Sequence, residues 1–142
     1  MHLEFSSNDY LSITVVSPGT AGVAYDCLLG ASMKCGNFSG TVEAWVDGSD
    51  VKGFIDELER LNKTLRGNAT LSSDDGGRSL NIEVVPADSL GHFLLKVKMG
   101  KDVPVHSGIC ETLAVGVFSF EAQAMGSICQ QLTEGVTEKS DA

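Results

Sequence analysis

His106 and Cys110 stand four residues apart in this chain, with Cys27 and Cys35 upstream and Cys129 near the far end. These residue types can hold zinc or pair as base and nucleophile. A zinc site needs about four N or S ligands brought together, usually from close pairs. No Cys-x-x-Cys pair occurs here. A thiolate nucleophile needs a base and an orienting group beside it; Cys110 with His106 or His92 is the nearest approach to that pattern. Structural thiols are the simpler reading. Asp74-Asp75 offers carboxylates to a calcium ion, but the spacing is not that of an EF-hand loop, and the Gly76-Gly77 that follows reads as a hairpin turn. The stretch from Gly19 to Gly22 is too short to cradle a phosphate, and no Lys-Ser/Thr follows it. No catalytic residue, cofactor or metal ligand is therefore expected. An enzyme without a recognisable motif ranks behind non-enzymatic binding and self-assembly.

Charge narrows the partners; it serves either solubility alone or an acidic docking face. Nineteen acidic residues against 10 basic ones give a net charge of −9 over 142 residues. Such a surface repels phosphate backbones and anionic membranes, so neither nucleic acid nor a membrane is expected as a partner. It suits docking to a basic protein. Trp45, the single tryptophan, falls on the polar side of its strand beside Glu43. If other chain covers that face, Trp45 is core; if not, it is an aromatic anchor for a partner. Trp45, Glu43, Asp74 and Asp75 are the candidate partner-binding residues. His92 reads as a turn-end histidine tied to the backbone. The start, Met1-His2-Leu3-Glu4-Phe5, has no basic or apolar signal region, and no apolar run approaches the roughly 18 residues of a membrane span. A cytoplasmic protein with reduced thiols is expected.

These residues need elements to position them. Glu4–Phe5 and Leu11–Val16 read as strands around a turn at Ser6 to Asp9, with Pro18-Gly19 stopping the second. Val23–Leu29 is a third, ended by Gly30. Phe38–Val46 is a fourth, with Phe38, Val42, Ala44 and Val46 on one face and Thr41, Glu43 and Trp45 on the other. Val51, Phe54, Ile55, Leu58, Leu61 and Leu65 repeat at helical spacing over 50–66. Ser49 or Asp50 is the expected N-cap and Gly67 the C′ residue, and Asp56–Arg60 and Glu59–Lys63 are i,i+4 ion pairs. Ala69–Ser72, 79–85 and 92–99 follow as strands, then an exposed loop from Gly100 to Gly108. Leu113, Val115 and Val117 begin the last strand. Ser119 then caps a helix over 120–133, along which Phe120, Ala124, Ile128 and Leu132 recur. The pattern predicts a single α+β domain over 1–134, followed by a disordered acidic tail over 135–142. Its antiparallel sheet has about seven or eight strands with two helices packed on it. Strands then a helix occur twice, a (β)4-α pseudo-repeat.

The stretch from Phe38 to Leu95 carries a resemblance. Phe38-Ser39-Gly40, Trp45, the helix motif Phe54-x-x-x-Leu58-x-x-Leu61, Leu65-Arg66-Gly67, Leu80-x-Ile82 and Gly91-His92 opening a strand resemble bacterial families of unknown function related to the WapI-type immunity proteins, which are associated with contact-dependent toxins. The chain lacks the tryptophan-rich sequence that some members show after the Arg-Gly, around Asn68. The resemblance implies a small intracellular binding domain that neutralises a toxin, and it transfers no catalytic residue. The acidic charge fits an inhibitor of a basic nuclease, by mimicry of its phosphate substrate. The alternative is a structural module in which an exposed strand edge makes a homodimer.

Overall fold

The computed structural model describes residues 1–5, 8–17 and 26–140. Eight strands and two helices follow in the order β1 (His2–Glu4), β2 (Tyr10–Ser17), β3 (Asp26–Cys35), β4 (Phe38–Asp47), α1 (Gly48–Thr64), β5 (Ala69–Ser72), β6 (Leu80–Pro86), β7 (His92–Val105), β8 (Gly108–Glu121) and α2 (Ala122–Ser140). This is the expected α+β fold with four strands and a helix twice over. The eight antiparallel strands are divided between two sheets, β1-β2-β3-β4 and β5-β6-β7-β8.

One core draws on both halves. Leu11, Ile13, Leu29 and Met33 from the first sheet, and Leu71, Ile82, Phe93 and Val97 from the second, bury together with Phe54, Leu58 and Leu61 of α1 and Met125 and Ile128 of α2. The α1 stripe is the one the 3.6-residue spacing dictates, because residues three and four apart share a helix face. The sheets approach closely where side chains are small. A Cβ on Gly40 would lie 3.2 Å from Met99 Sδ and 3.3 Å from Ala114 Cβ.

Several boundaries differ from those expected, each for a local reason. Asp47, not Ser49 or Asp50, caps α1: its Oδ1 accepts from the Ser49 N–H at 2.9 Å. At the other end Leu65 takes the left-handed conformation (φ 55°) and donates its N–H to Leu61 O at 2.8 Å, so the helix closes before Gly67. The αL strain of a non-glycine residue is set against packing of the Leu65 side chain on the core. Neither Asp56–Arg60 nor Glu59–Lys63 closes to ion-pair distance, in keeping with the side-chain entropy that exposed pairs must overcome. β3 runs through Gly30 instead of ending there; the expected start at Val23, like Ser6-Ser7 and Pro18-Gly19, lies outside the described residues. Gly30 is a strand residue because Val16 Cγ2 and Thr14 Oγ1 lie 3.1 and 3.2 Å from where its Cβ would be. Phe38 does not join the core face of β4. It sits beside the β3–β4 turn, beyond the inter-sheet contact at Gly40, and is 74% exposed.

The expected loop from Gly100 to Gly108 is the outer half of a long hairpin. β7 and β8 pair without a register break from His92–Glu121 to Val105–Gly108. Gly100 fits a strand because the Arg78 backbone oxygen occupies the place of a Cβ there. Pro104 fits because β6 pairs with β7 only as far as Met99, which leaves β7 without a neighbour on that side and with no donor needed. Ser119 pairs with Leu94 and does not cap a helix. The chain stays extended to bury Phe118 and Phe120, which stack on Phe5 and Phe93 at ring-centroid distances of 4.5 and 5.4 Å. α2 begins at Ala122, whose N–H donates to Gly91 O at 2.8 Å, and it runs past the expected end at Thr133 to Ser140.

Leu58 is fully buried, so Leu58→Ala should cost about 2–5 kcal/mol in chemical denaturation. Gly53 lies inside α1 with open space where a Cβ would go; Gly53→Ala should stabilise by about 0.5–1 kcal/mol, the helix-propensity difference. A fall in midpoint for Gly53→Ala would show that the helix face has been misassigned.

Candidate functional site

The outer face of the first sheet is uncovered around Trp45, which is 51% exposed. Strand alternation places Trp45 opposite Leu28 and Glu43 opposite Gly30. With no side chain on Gly30, Val16 lies over that position, so Trp45, Leu28 and Val16 form an apolar patch beside the Glu43 carboxylate. Of the two alternatives for Trp45, the solvent-facing one holds.

The turn between β5 and β6 meets the edge of β4 at the same place. The Asp74 N–H donates to Trp45 O at 2.8 Å, which sets Asp74 next to the tryptophan. Asp75 organises that turn from within. Its Oδ1 accepts from the Ser73 hydroxyl at 2.5 Å, the Arg78 N–H at 3.0 Å and the Ser79 N–H at 3.3 Å, and its Oδ2 accepts from the Ser79 hydroxyl. Partial burial pushes the Asp75 carboxyl up, but the hydrogen bonds from Ser73, Ser79 and Arg78 outweigh it and hold the group at about 2, below its ordinary 3.8. Beside the turn, Arg78 pairs with Asp102 at 2.6 Å. A cleft of about 600 Å³ opens between Gly40–Glu43 of β4, Asp75 and Arg78 of the turn, and Lys101 and Asp102 of β7. The four residues singled out from the sequence thus converge on one region. Trp45, Glu43 and Asp74 are exposed, and the Asp75 oxygens accept from their own turn.

Arg78 and Asp102 neutralise each other across the cleft. The histidines lie elsewhere. His92 binds Asp88 through Nδ1 at 2.6 Å, and its carbonyl accepts from the Ala87 N–H at 2.8 Å. The Leu90 N–H and then His92 hold the Asp88 carboxyl below the usual carboxylate range. His106 forms the tip of the β7–β8 hairpin, and Cys110 faces Val103 on it, both exposed. Cys27 and Cys129 are buried. Burial, with the nearby Glu59 charge, pushes the Cys129 thiol up, which makes it a poor nucleophile. Among the described residues no three His, Cys, Asp or Glu side chains come together as metal ligands, and no helix is long and apolar enough to cross a membrane.

Arg78, Lys101 and Asp102 were not legible as site residues, because Gly100 and Pro104 read as loop punctuation. Nor was the exposure of Leu113, Val115 and Val117, although β8 carried a signal: both of its alternating faces are apolar, and only Gly116, Phe118 and Phe120 are buried.

The sequence profile of the immunity protein WapI-like family matches residues 2–135. No curated protein and no solved structure gives a significant match.

The Asp75 carboxyl gives this region a pH signature. A folded-state pKa lowered below the unfolded one contributes stability above 3.8 that is lost as the pH falls toward about 2. Asp75→Asn should therefore lower the denaturation midpoint at neutral pH and flatten its fall across that acid window relative to the wild type. Equal slopes in the two proteins would show that the carboxylate does not hold the turn.

Proposed function

The chain belongs to the WapI-like immunity protein family, and on that premise we propose that it neutralises a basic toxin domain by binding it through the outer face of its first sheet. The exposed Trp45, flanked by Glu43 and Asp74, carries this reading. An aromatic that can be desolvated, ringed by carboxylates, is the composition of an interface hot spot for a basic partner, and the net charge of −9 supplies long-range attraction. Binding takes place in the cytoplasm of a bacterial cell, where the toxin would otherwise act. The protein acts by occupying the toxin, without catalysis or cofactor. A second reading, a structural module that self-associates through a strand edge, is favoured by one specific observation: the solvent-facing apolar run along β8.

The test is co-expression with the product of the adjacent gene where that gene encodes a toxin, followed by binding kinetics. Charge steering is screened beyond a Debye length of about 8 Å at physiological salt. Association should slow steeply as salt rises while dissociation changes little. Trp45→Ala should speed dissociation by about tenfold or more without moving the denaturation midpoint, and Glu43→Gln should mainly slow association. Absence of growth rescue, together with no complex at low salt, would sink the toxin reading.

A further inference from the structure

Beyond Met99, the β7–β8 ribbon leaves the body of the protein, and every residue from Lys101 to Leu113 is exposed. Most exposed large hydrophobic residues of the described chain lie on it. On one face of β8, Ile109 is 68% exposed, Leu113 49% and Val115 60%. β8 is also the terminal strand of its sheet. Edge strands are normally blunted by lysine, proline or a bulge. From Ile109 to Val115 the one charged residue is Glu111 and none is a proline, and the pairing with β7 has no bulge. Toward α2 the edge is approached by the first sheet, because the Cys35 thiol donates to Val117 O at 3.5 Å. The open edge is Ile109–Val115.

We infer that this edge pairs with the same edge of a second copy of the chain, antiparallel, about a two-fold axis near Thr112. The inference deepens the self-association reading and stands apart from the toxin reading. Charge selects the occupant. At −9, two copies repel each other over most of their surfaces. The ribbon is the exception: over β7 and β8, Lys96, Lys98 and Lys101 are matched by Asp102, Glu111 and Glu121, three positive and three negative, so it carries no net charge. A basic toxin domain gains nothing from such a surface, whereas a second acidic chain meets the least repulsion there. The signs are also ordered. Lys98 pairs with Val115 at one end of the apolar run and Glu111 lies toward the other, whereas Lys96 is held by Glu83 and Asp102 by Arg78. A two-fold axis reverses the second copy, so the lysine end of each ribbon faces the carboxylate end of the other. The same operation sets Ile109 beside Val115 of the partner subunit, so the two apolar runs meet side by side across the seam.

Sedimentation velocity of the full chain, from about 1 to about 100 µM, reads the dimer population by mass action. The expected result is a concentration-dependent dimer. Val115→Lys, at an exposed position, should weaken it at least tenfold while leaving the thermal melt of the monomer unchanged. Lys98→Glu and Glu111→Lys should each weaken it, and the double exchange should restore it. A wild-type dimer indifferent to Val115→Lys would overturn the assignment of this edge and leave self-association through another face. A wild type that is monomeric throughout would overturn both. A monomer in which Val115→Lys abolishes toxin binding would overturn the inference and give the ribbon to the toxin.

Discussion

Two sheets that share no hydrogen-bond ladder are held together by side-chain packing and by the few bonds that cross between them. One of these crosses from the Asp74 N–H to the Trp45 carbonyl, and it depends on the turn that Asp75 folds around its own carboxylate. That turn reaches several parts of the structure at once. It closes β5 on β6, reaches the β4 edge through Asp74, supports β7 where the Gly100 N–H donates to Ser79 O at 3.0 Å, and aims Arg78 at Asp102. A charge-assisted hydrogen bond is roughly twice as strong as a neutral one, and this carboxylate accepts four. Asp75 is thus better understood as the group that builds the site than as a group that meets a partner.

The same arrangement accounts for what remains free on the surface. The inner faces of both sheets are consumed by one core with the two helices. The outer face of the first sheet is left with Trp45 uncovered beside acids, and β8 is left with an apolar face and an open edge. These surfaces differ in sign as well as in shape. The Trp45 face is acidic, as a basic partner would require, whereas the ribbon carries no net charge and would repel another copy of the acidic chain least. The two proposed uses are therefore compatible, since they draw on different faces.

Much of this was legible in the sequence wherever the cause was local. The α1 stripe of Phe54, Leu58 and Leu61 needs only helical periodicity, and the alternation in β6 and β7 needs only the pleat. The misread positions are those whose reason lies far away in the chain. Gly30 and Gly100 look like strand breakers, yet each is a glycine because another segment, Val16 or the Arg78 backbone, occupies the place of its side chain. Ser119 looks like a helix cap until Phe93 claims Phe120 and holds the strand extended. Asp74-Asp75 looked like a pair of equivalent carboxylates, and only the fold shows that the second is turned into its own loop. Trp45 could not be placed at all without knowing whether anything covers its face.

Amide hydrogen exchange at Asp74 tests most directly whether this turn joins the sheets. An N–H bonded across to Trp45 exchanges only when that junction opens. The account predicts that the Asp74 amide is protected in the native protein, and that Asp75→Ala removes its protection while the amide of Leu58, deep in α1, keeps its own. An Asp74 amide that exchanges in the wild type as fast as an unstructured peptide would contradict it.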